Sequence, residues 1–365
     1  MKNTFGSALT VTLFGESHGS AIGVVLDGLA PGIEIDDALI RLRLEQRKPR
    51  KGTGTARREG DAYQILSGAY EGRTTGTPLC LVIYNENQKS GDYESLRTTP
   101  RPGHADLAAE EKYHGYQDMR GGGHFSGRLT AALVAAGALV EGALNQLGIT
   151  VATHVLRMGS IRDDALCEEN AAVLKEKPFP TISDTAAEAM QKFILAAGAE
   201  GDSVGGILES MIFGLPAGLG EPWFDSFESV LSHALFSIGG IKGVEFGAGF
   251  AIADMRGSEA NDPFCFKDGR VMTETNNNGG INGGITNGMP VLFRCAVKPT
   301  PSIYKEQRTV DLCKKENTSM KIEGRHDPAI VHRAAPVVSA VSALAVADML
   351  TVRYGTDALK VGLRK

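Results

Sequence analysis

At 365 residues, 42% hydrophobic and 22% charged, the chain has an ordinary globular composition with room for a large core, which excludes a disordered polypeptide. Its 38 basic and 43 acidic residues sum to −5, so no global basic field points to nucleic acid or an anionic membrane, and any anion site has to be local. The 45 glycines lack a period of three, which excludes collagen, and five scattered cysteines without a C-x-x-C pair argue against disulfides and a zinc centre.

The N-terminus, MKNTFGSALTVTLFGESHG, has no basic region leading into an apolar core and cleavage site. No uninterrupted apolar run reaches membrane-spanning length, so a cytoplasmic protein is expected. Leu9 to Phe14 and Ile22 to Asp27, rich in Val, Thr and Leu, read as strands of a hairpin whose tip is Gly15-Glu16-Ser17-His18-Gly19. Asp36 is a plausible N-cap for a helix running to about Arg47, where Pro49 stops it. Arg43 and Arg47 share one face of that helix and Leu39, Leu42 and Leu44 point inward, so an isolated amphipathic helix would leave the arginines solvated. Residues 50–60 form a basic, Gly/Thr-rich loop suited to closing over an anion. Tyr63 to Ser67 and Leu79 to Tyr84 are further strands.

The stretch from Arg101 to Arg128 organises the chain. RPGHAD, a short helical run and RGGGHFSGR bring together His104, His124, three arginines and Gly121-Gly122-Gly123 just before an apolar helix from about Gly127 to Leu147. Bare backbone N–H groups, a helix N-terminus and guanidinium forks make an anion-binding wall. A turn with solvated arginines is the plain alternative.

The second half echoes the first. Gly28 to Ile33 ends a strand and precedes Asp36 and a helix, and Gly214 to Leu219 does the same before Asp225. Two long apolar helices, 127–147 and about 336–352, repeat the echo. Two similar halves, about 1–150 and 200–352, with buried helices between sheets, are therefore expected within one large α+β domain covering residues 1–365. Strands are expected at 205–213, 243–252 and 290–297, with the Gly/Asn loop 275–288 forming a backbone nest around a ligand.

GESHG matches the G-x-S-x-G pattern of a serine hydrolase elbow, but a strand rather than a helix follows it. His18, at a Gly-flanked tip, is the stronger candidate for proton transfer near neutral pH. His104 is the second, against the alternative that Asp106 caps the next helix and His104 only bonds backbone. The eight histidines show no H-x-x-x-H or H-E-x-x-H spacing, so no metal is expected. Asp327, beside Arg325 and before Pro328, suits either a capped turn or a base next to an anion clamp.

Taken together, GESHG at 15–19, RPGHAD at 101–106, SIGGIKGVEFG at 237–247, GGITNG at 283–288, KPTPS at 298–302 and RHDP at 325–328 resemble the chorismate synthase family, in its order and approximate spacing over nearly the whole chain. The resemblance implies a β-α-β sandwich and a homotetramer. It also implies a 1,4-anti elimination of phosphate from 5-enolpyruvylshikimate 3-phosphate, using reduced FMN with no net redox change. It would make His18 an acid near the leaving phosphate, His104 the group that protonates reduced flavin, and Asp327 the carboxylate that helps remove the C6 proton. Substrate arginines would fall on Arg47, Arg101, Arg128 and Arg325. Flavin contacts would fall on Ser126, Gly239, Gly240, Gly283, Lys298, Thr300, Ser302 and Arg325, with His124 standing where many members carry an arginine. Some members reduce their own flavin with NADPH. This chain has no G-x-G-x-x-G after a strand, so an external flavin reductant is expected.

Overall fold

The computed structural model describes residues 2–49, 60–86, 98–175, 177–267, 269–322 and 327–361. Two five-stranded sheets carry the architecture, both wholly antiparallel. The first runs in the order Thr4–Phe5, Thr10–Gly15, Ala21–Asp27, Leu79–Tyr84, Tyr63–Ser67. The second runs Ile241–Phe246, Val291–Val297, Gly206–Phe213, Thr150–Met158, Ile161–Arg162. Their cores are Val, Ile and Leu at inward positions, as half-buried pleated strands require.

The two apolar helices, Thr130–Gln146 and Val331–Tyr354, pack on each other. The first also meets Ala21–Asp27 and Leu79–Tyr84 of one sheet, and the second meets Thr150–Met158 and Gly206–Phe213 of the other. By length and hydropathy each would pass for a membrane span, a signal that the uninterrupted-run criterion missed, but both are mostly buried within the protein. Small residues let their backbones touch: a Cβ on Gly137 would lie 2.4 Å from the Cβ of Ala340 and 2.6 Å from its carbonyl oxygen. Buried Asp348 on the second helix accepts N–H groups from Ser7, Ala8 and Leu9, at 2.9, 2.8 and 2.9 Å, and so fixes the loop that leads into the first sheet.

Most expected elements stand within a residue or two, with several corrections. The last long helix begins at Val331, five residues before Pro336, so the proline lies inside its early turns. The strand expected over 243–252 ends at Phe246 and gives way to a 3₁₀ turn over Gly249–Asp254. Asp36 does cap the Asp37–Arg47 helix, through Leu39 N–H at 2.9 Å, whereas the later helix Phe227–Phe236 is capped by Ser226 rather than Asp225. The Gly/Asn loop is organised around an internal carboxylate, since Asp262 accepts from Thr275 Oγ1, Asn277 N–H and Asn278 N–H at 2.6, 2.7 and 2.9 Å.

The outer face of the second sheet carries a row of alternating charge. His154, Glu209, Arg294 and Glu245 are successive cross-strand neighbours on four strands. His154 Nδ1 lies 2.8 Å from Asp163, its Nε2 lies 3.3 Å from Glu209, and Arg294 Nε donates to Glu209 at 2.7 Å. Burial works to lower the imidazole and raise the carboxyls, but the mutual hydrogen bonds outweigh it, holding His154 above and Asp163 and Glu209 below their usual ranges.

Candidate active site

The hairpin tip between Thr10–Gly15 and Ala21–Asp27 sits on the glycine run. Gly121, Gly122 and Gly123 all have positive φ, at +60°, +84° and +52°, which only glycine adopts without strain in succession. The close approach requires it too. A Cβ on Gly121 would fall 2.1 Å from His18 Cε1, and one on Gly122 would fall 3.5 Å from His104 Nε2. Ser17 N–H donates to Gly123 O at 3.1 Å, and His124 Nδ1 lies 2.8 Å from Gly15 O. One three-residue run therefore cradles both histidines. Ser17 Oγ is buried with no hydrogen-bond partner among the described residues, so none of these stands as the base that a serine nucleophile needs, and two antiparallel strands flank it instead of a strand and a helix.

RPGHAD folds onto its own aspartate. Asp106 accepts Arg101 N–H at 3.0 Å, Arg101 Nε at 2.7 Å, Arg101 Nη2 at 2.8 Å and His104 Nδ1 at 2.6 Å. It does not cap the helix Asp106–Tyr113. Burial pushes Asp106 up, but the hydrogen bonds from Arg101 and His104 hold it well below the carboxylate range. An ionised Asp106 fixes the proton on His104 Nδ1 and leaves Nε2 facing Gly122 and Ser126. Arg101, expected at the substrate, has two of its guanidinium nitrogens committed to this carboxylate.

Arg47 is 6% exposed, which overturns the solvated-face reading of its helix, while Leu42 at 43% is not a core residue. Arg47 Nη2 donates to Asp61 Oδ2 at 3.0 Å, and Arg128 Nη1 bonds the other oxygen of the same carboxylate. Asp61 escaped the sequence reading because a lone aspartate after a basic loop carries no periodic signal. Arg128 Nε donates to Asn85 Oδ1 at 3.1 Å, and Asn85 Nδ2 donates to Glu16 O and Gly19 O at 3.1 and 2.8 Å, reaching the tip that holds His18. Burial lowers the Arg47 guanidinium pKa, and it works to raise Asp61, but the two arginines hold that carboxyl below its ordinary value.

On the other side, Arg333 Nε donates to Arg47 O at 3.1 Å and its Nη1 bonds Asp327. Arg333 was also missed, since it is part of an apolar helix six residues beyond Asp327. Lys298 N–H donates to Gly240 O at 2.9 Å, its Nζ bonds Gly103 O, and Ser203 Oγ donates to Thr300 O at 2.7 Å. The turns holding Gly239, Gly240, Lys298, Thr300 and buried Ser302 thus adjoin the turn holding His104. Gly283 does not join them within this chain. It lies in the hairpin Ile281–Asn282/Ile285–Thr286, whose Gly284 packs against Gly220 and Ser226, while Lys298 follows the far end of Val291–Val297. That seven-residue strand separates them by about 20 Å at ~3.3 Å per residue. Arg325 and the basic residues Arg50, Lys51 and Arg57 lie outside the described residues. No cluster of His, Cys, Asp and Glu suited to a metal ion occurs among the described residues.

Comparison with known proteins gives one answer throughout. The family described as chorismate synthase matches residues 9–351. The chorismate synthase of Thermococcus kodakarensis is 49% identical over 354 residues, covering 97% of this chain and 99% of that one. That of Methanocella arvoryzae is 47% identical over 350 residues, covering 95% and 94%. A crystal structure of chorismate synthase superposes with a TM-score of 0.74 at 27% identity, covering 96% of this chain and 94% of that one.

Proposed function

The chain belongs to the chorismate synthase family, and from that premise we propose that it eliminates phosphate from 5-enolpyruvylshikimate 3-phosphate in the 1,4-anti sense, giving chorismate with reduced FMN as cofactor. The observation that carries the reading is the convergence of His18 and His104 on one glycine run beside a buried arginine pair. A substrate with a phosphate and two carboxylates needs fixed cations at its anionic groups, where charge grows as phosphate departs. Arg47 and Arg128 supply them. His18, held at the tip, donates a proton near the leaving phosphate.

Reduced flavin, when bound, supplies the electron-rich ring that assists departure of phosphate and is returned unchanged. The residues present fit it: Gly239 has open space where a Cβ would stand, and Thr300 Oγ1 is buried with no partner among the described residues. Ser126, His124, Gly239, Gly240, Lys298, Thr300 and Ser302 would hold it. His104, with Nδ1 held by Asp106, presents Nε2 on the Gly122 side for exchange of a proton with the bound cofactor. Asp327, bonded by Arg333, is the carboxylate that would accept the C6 proton.

The helix pair, in contact with one sheet on one side and the other sheet on the other, supports a β-α-β sandwich of two similar halves. Family membership supports a cytoplasmic homotetramer, and the lack of a G-x-G-x-x-G after a strand supports flavin reduced elsewhere. The test is anaerobic. Protein, dithionite-reduced FMN and 5-enolpyruvylshikimate 3-phosphate should give chorismate and phosphate in equal amounts, and NADPH in place of dithionite should give neither. No chorismate from folded, flavin-binding protein would refute the reading.

A further inference from the structure

We propose that Asp61 is a positioning residue that sets the spacing and direction of Arg47 and Arg128, so that the two guanidiniums act as one phosphate-binding fork. Each carboxylate oxygen takes a different arginine: Oδ2 accepts Arg47 Nη2 at 3.0 Å, and Oδ1 accepts Arg128 Nη1. Three separate pieces of chain meet there. Arg47 ends the helix Asp37–Arg47, Arg128 stands in the 3₁₀ turn Gly127–Leu129 before a central helix, and Asp61 stands two residues before the strand Tyr63–Ser67. Two like charges buried side by side repel unless an anion lies between them, and the chain supplies that anion itself.

Asp61 is not a stand-in for the ligand. Its side chain is only 1% exposed against 7% for Arg47 and 6% for Arg128, so the carboxylate is at least as deeply buried as the guanidiniums it joins. It is also held in the left-handed region at φ +52°, a conformation that a surface counter-ion would not require. The trio keeps one net positive charge, and Arg47 Nε is buried with no partner among the described residues, leaving a donor for an incoming anion. Arg47 and Arg128 each extend the network, to Arg333 through the Arg47 carbonyl and to the hairpin tip through Asn85.

The inference rests on the reading above only for the identity of the natural anion, so its test starts with inorganic phosphate. Calorimetric titration of phosphate into the full-length protein is compared for wild type, Asp61→Asn and Asp61→Glu. Simple charge counting predicts tighter binding in Asp61→Asn, because a negative charge has gone. Positioning predicts the opposite, a loss of about tenfold or more, the size of a lost charged hydrogen bond. Asp61→Glu keeps the charge and moves it by one methylene, so positioning predicts weaker phosphate binding there too. It also predicts a raised KM for 5-enolpyruvylshikimate 3-phosphate with a smaller change in kcat and retained FMN affinity. Tighter phosphate binding in Asp61→Asn, wild-type binding in folded Asp61→Glu, or no phosphate binding by the wild type would each overturn it. Failure of the wild type to form chorismate would instead refute the assigned reaction and leave the phosphate result standing.

Discussion

His104 Nδ1 and Asp106 Oδ1 lie 2.6 Å apart, inside a turn whose arginine grips the same carboxylate. The pair fixes which nitrogen of the imidazole is free to meet a ligand. Asp106→Asn removes the negative charge that favours this tautomer and leaves Arg101 uncompensated beside the ring. Turnover is expected to fall by about 10²-fold or more, the usual worth of a positioned acid or base. FMN affinity should change much less. Single-turnover chorismate formation alongside a flavin titration measures both, and equal losses in the two would point to a folding defect.

Gly121 is where the glycine run meets His18 most closely. Alanine there would place a methyl 2.1 Å from His18 Cε1 and in a backbone region that side chains resist. Gly121→Ala is expected to displace the hairpin tip and abolish measurable turnover, while the melting temperature drops by only a few degrees, because the tip lies at the end of its sheet. A variant with more than half of wild-type activity would show that the cradle is not needed.

Gly137 has no contact with the site, and its replacement tests the helix layer by itself. Gly137→Ala forces the two central helices apart at Ala340, and overpacking of this kind costs about 1–3 kcal/mol. Thermal or denaturant unfolding should show that loss, although alanine is the better helix former. A more stable variant would mean that the helices separate freely.

The charged row on the second sheet predicts a pH dependence. His154 is held above its usual value, so its contribution is complete below the unfolded pKa of about 6.5 and is lost as pH rises through the higher folded one. Asp163 and Glu209 are held below theirs, so their contribution is present above about pH 4 and is lost as pH falls through the lower folded values. The network should therefore stabilise most between about pH 4.5 and 6.5. The melting-temperature difference between wild type and His154→Gln should be largest in that interval and shrink above it. A difference independent of pH would mean that the imidazole is neutral throughout.

Much of this was legible in the sequence, for identifiable reasons. Strands such as Tyr63–Ser67 and Leu79–Tyr84 carry their own period and turn signals, and Asp36 announces its helix by a side chain that bonds locally. His18 and His104 stand out because glycine flanks them. What the sequence hides is the partner of each charge. Nothing local says that Asp61 would reach Arg47 and Arg128, that Arg333 would bond Asp327, or that Asp106 would turn back to Arg101 instead of capping its helix. An amphipathic-wheel argument leaves Arg47 in water, because the wheel does not know that another segment covers that face. The resemblance likewise groups Gly283 with Lys298, and only the strand between them reveals the distance.

Asp348 gives the order in which such a chain can be completed. Its carboxylate holds the backbone of Ser7 across 341 positions of sequence, so the loop joining Thr4–Phe5 to Thr10–Gly15 lacks this anchor until the last long helix has been made. During synthesis the early hairpin can pair with its neighbours and meet the glycine run, whereas this slow, long-range closure comes last. A nascent chain would thus carry every residue of the histidine cradle well before it could bind anything.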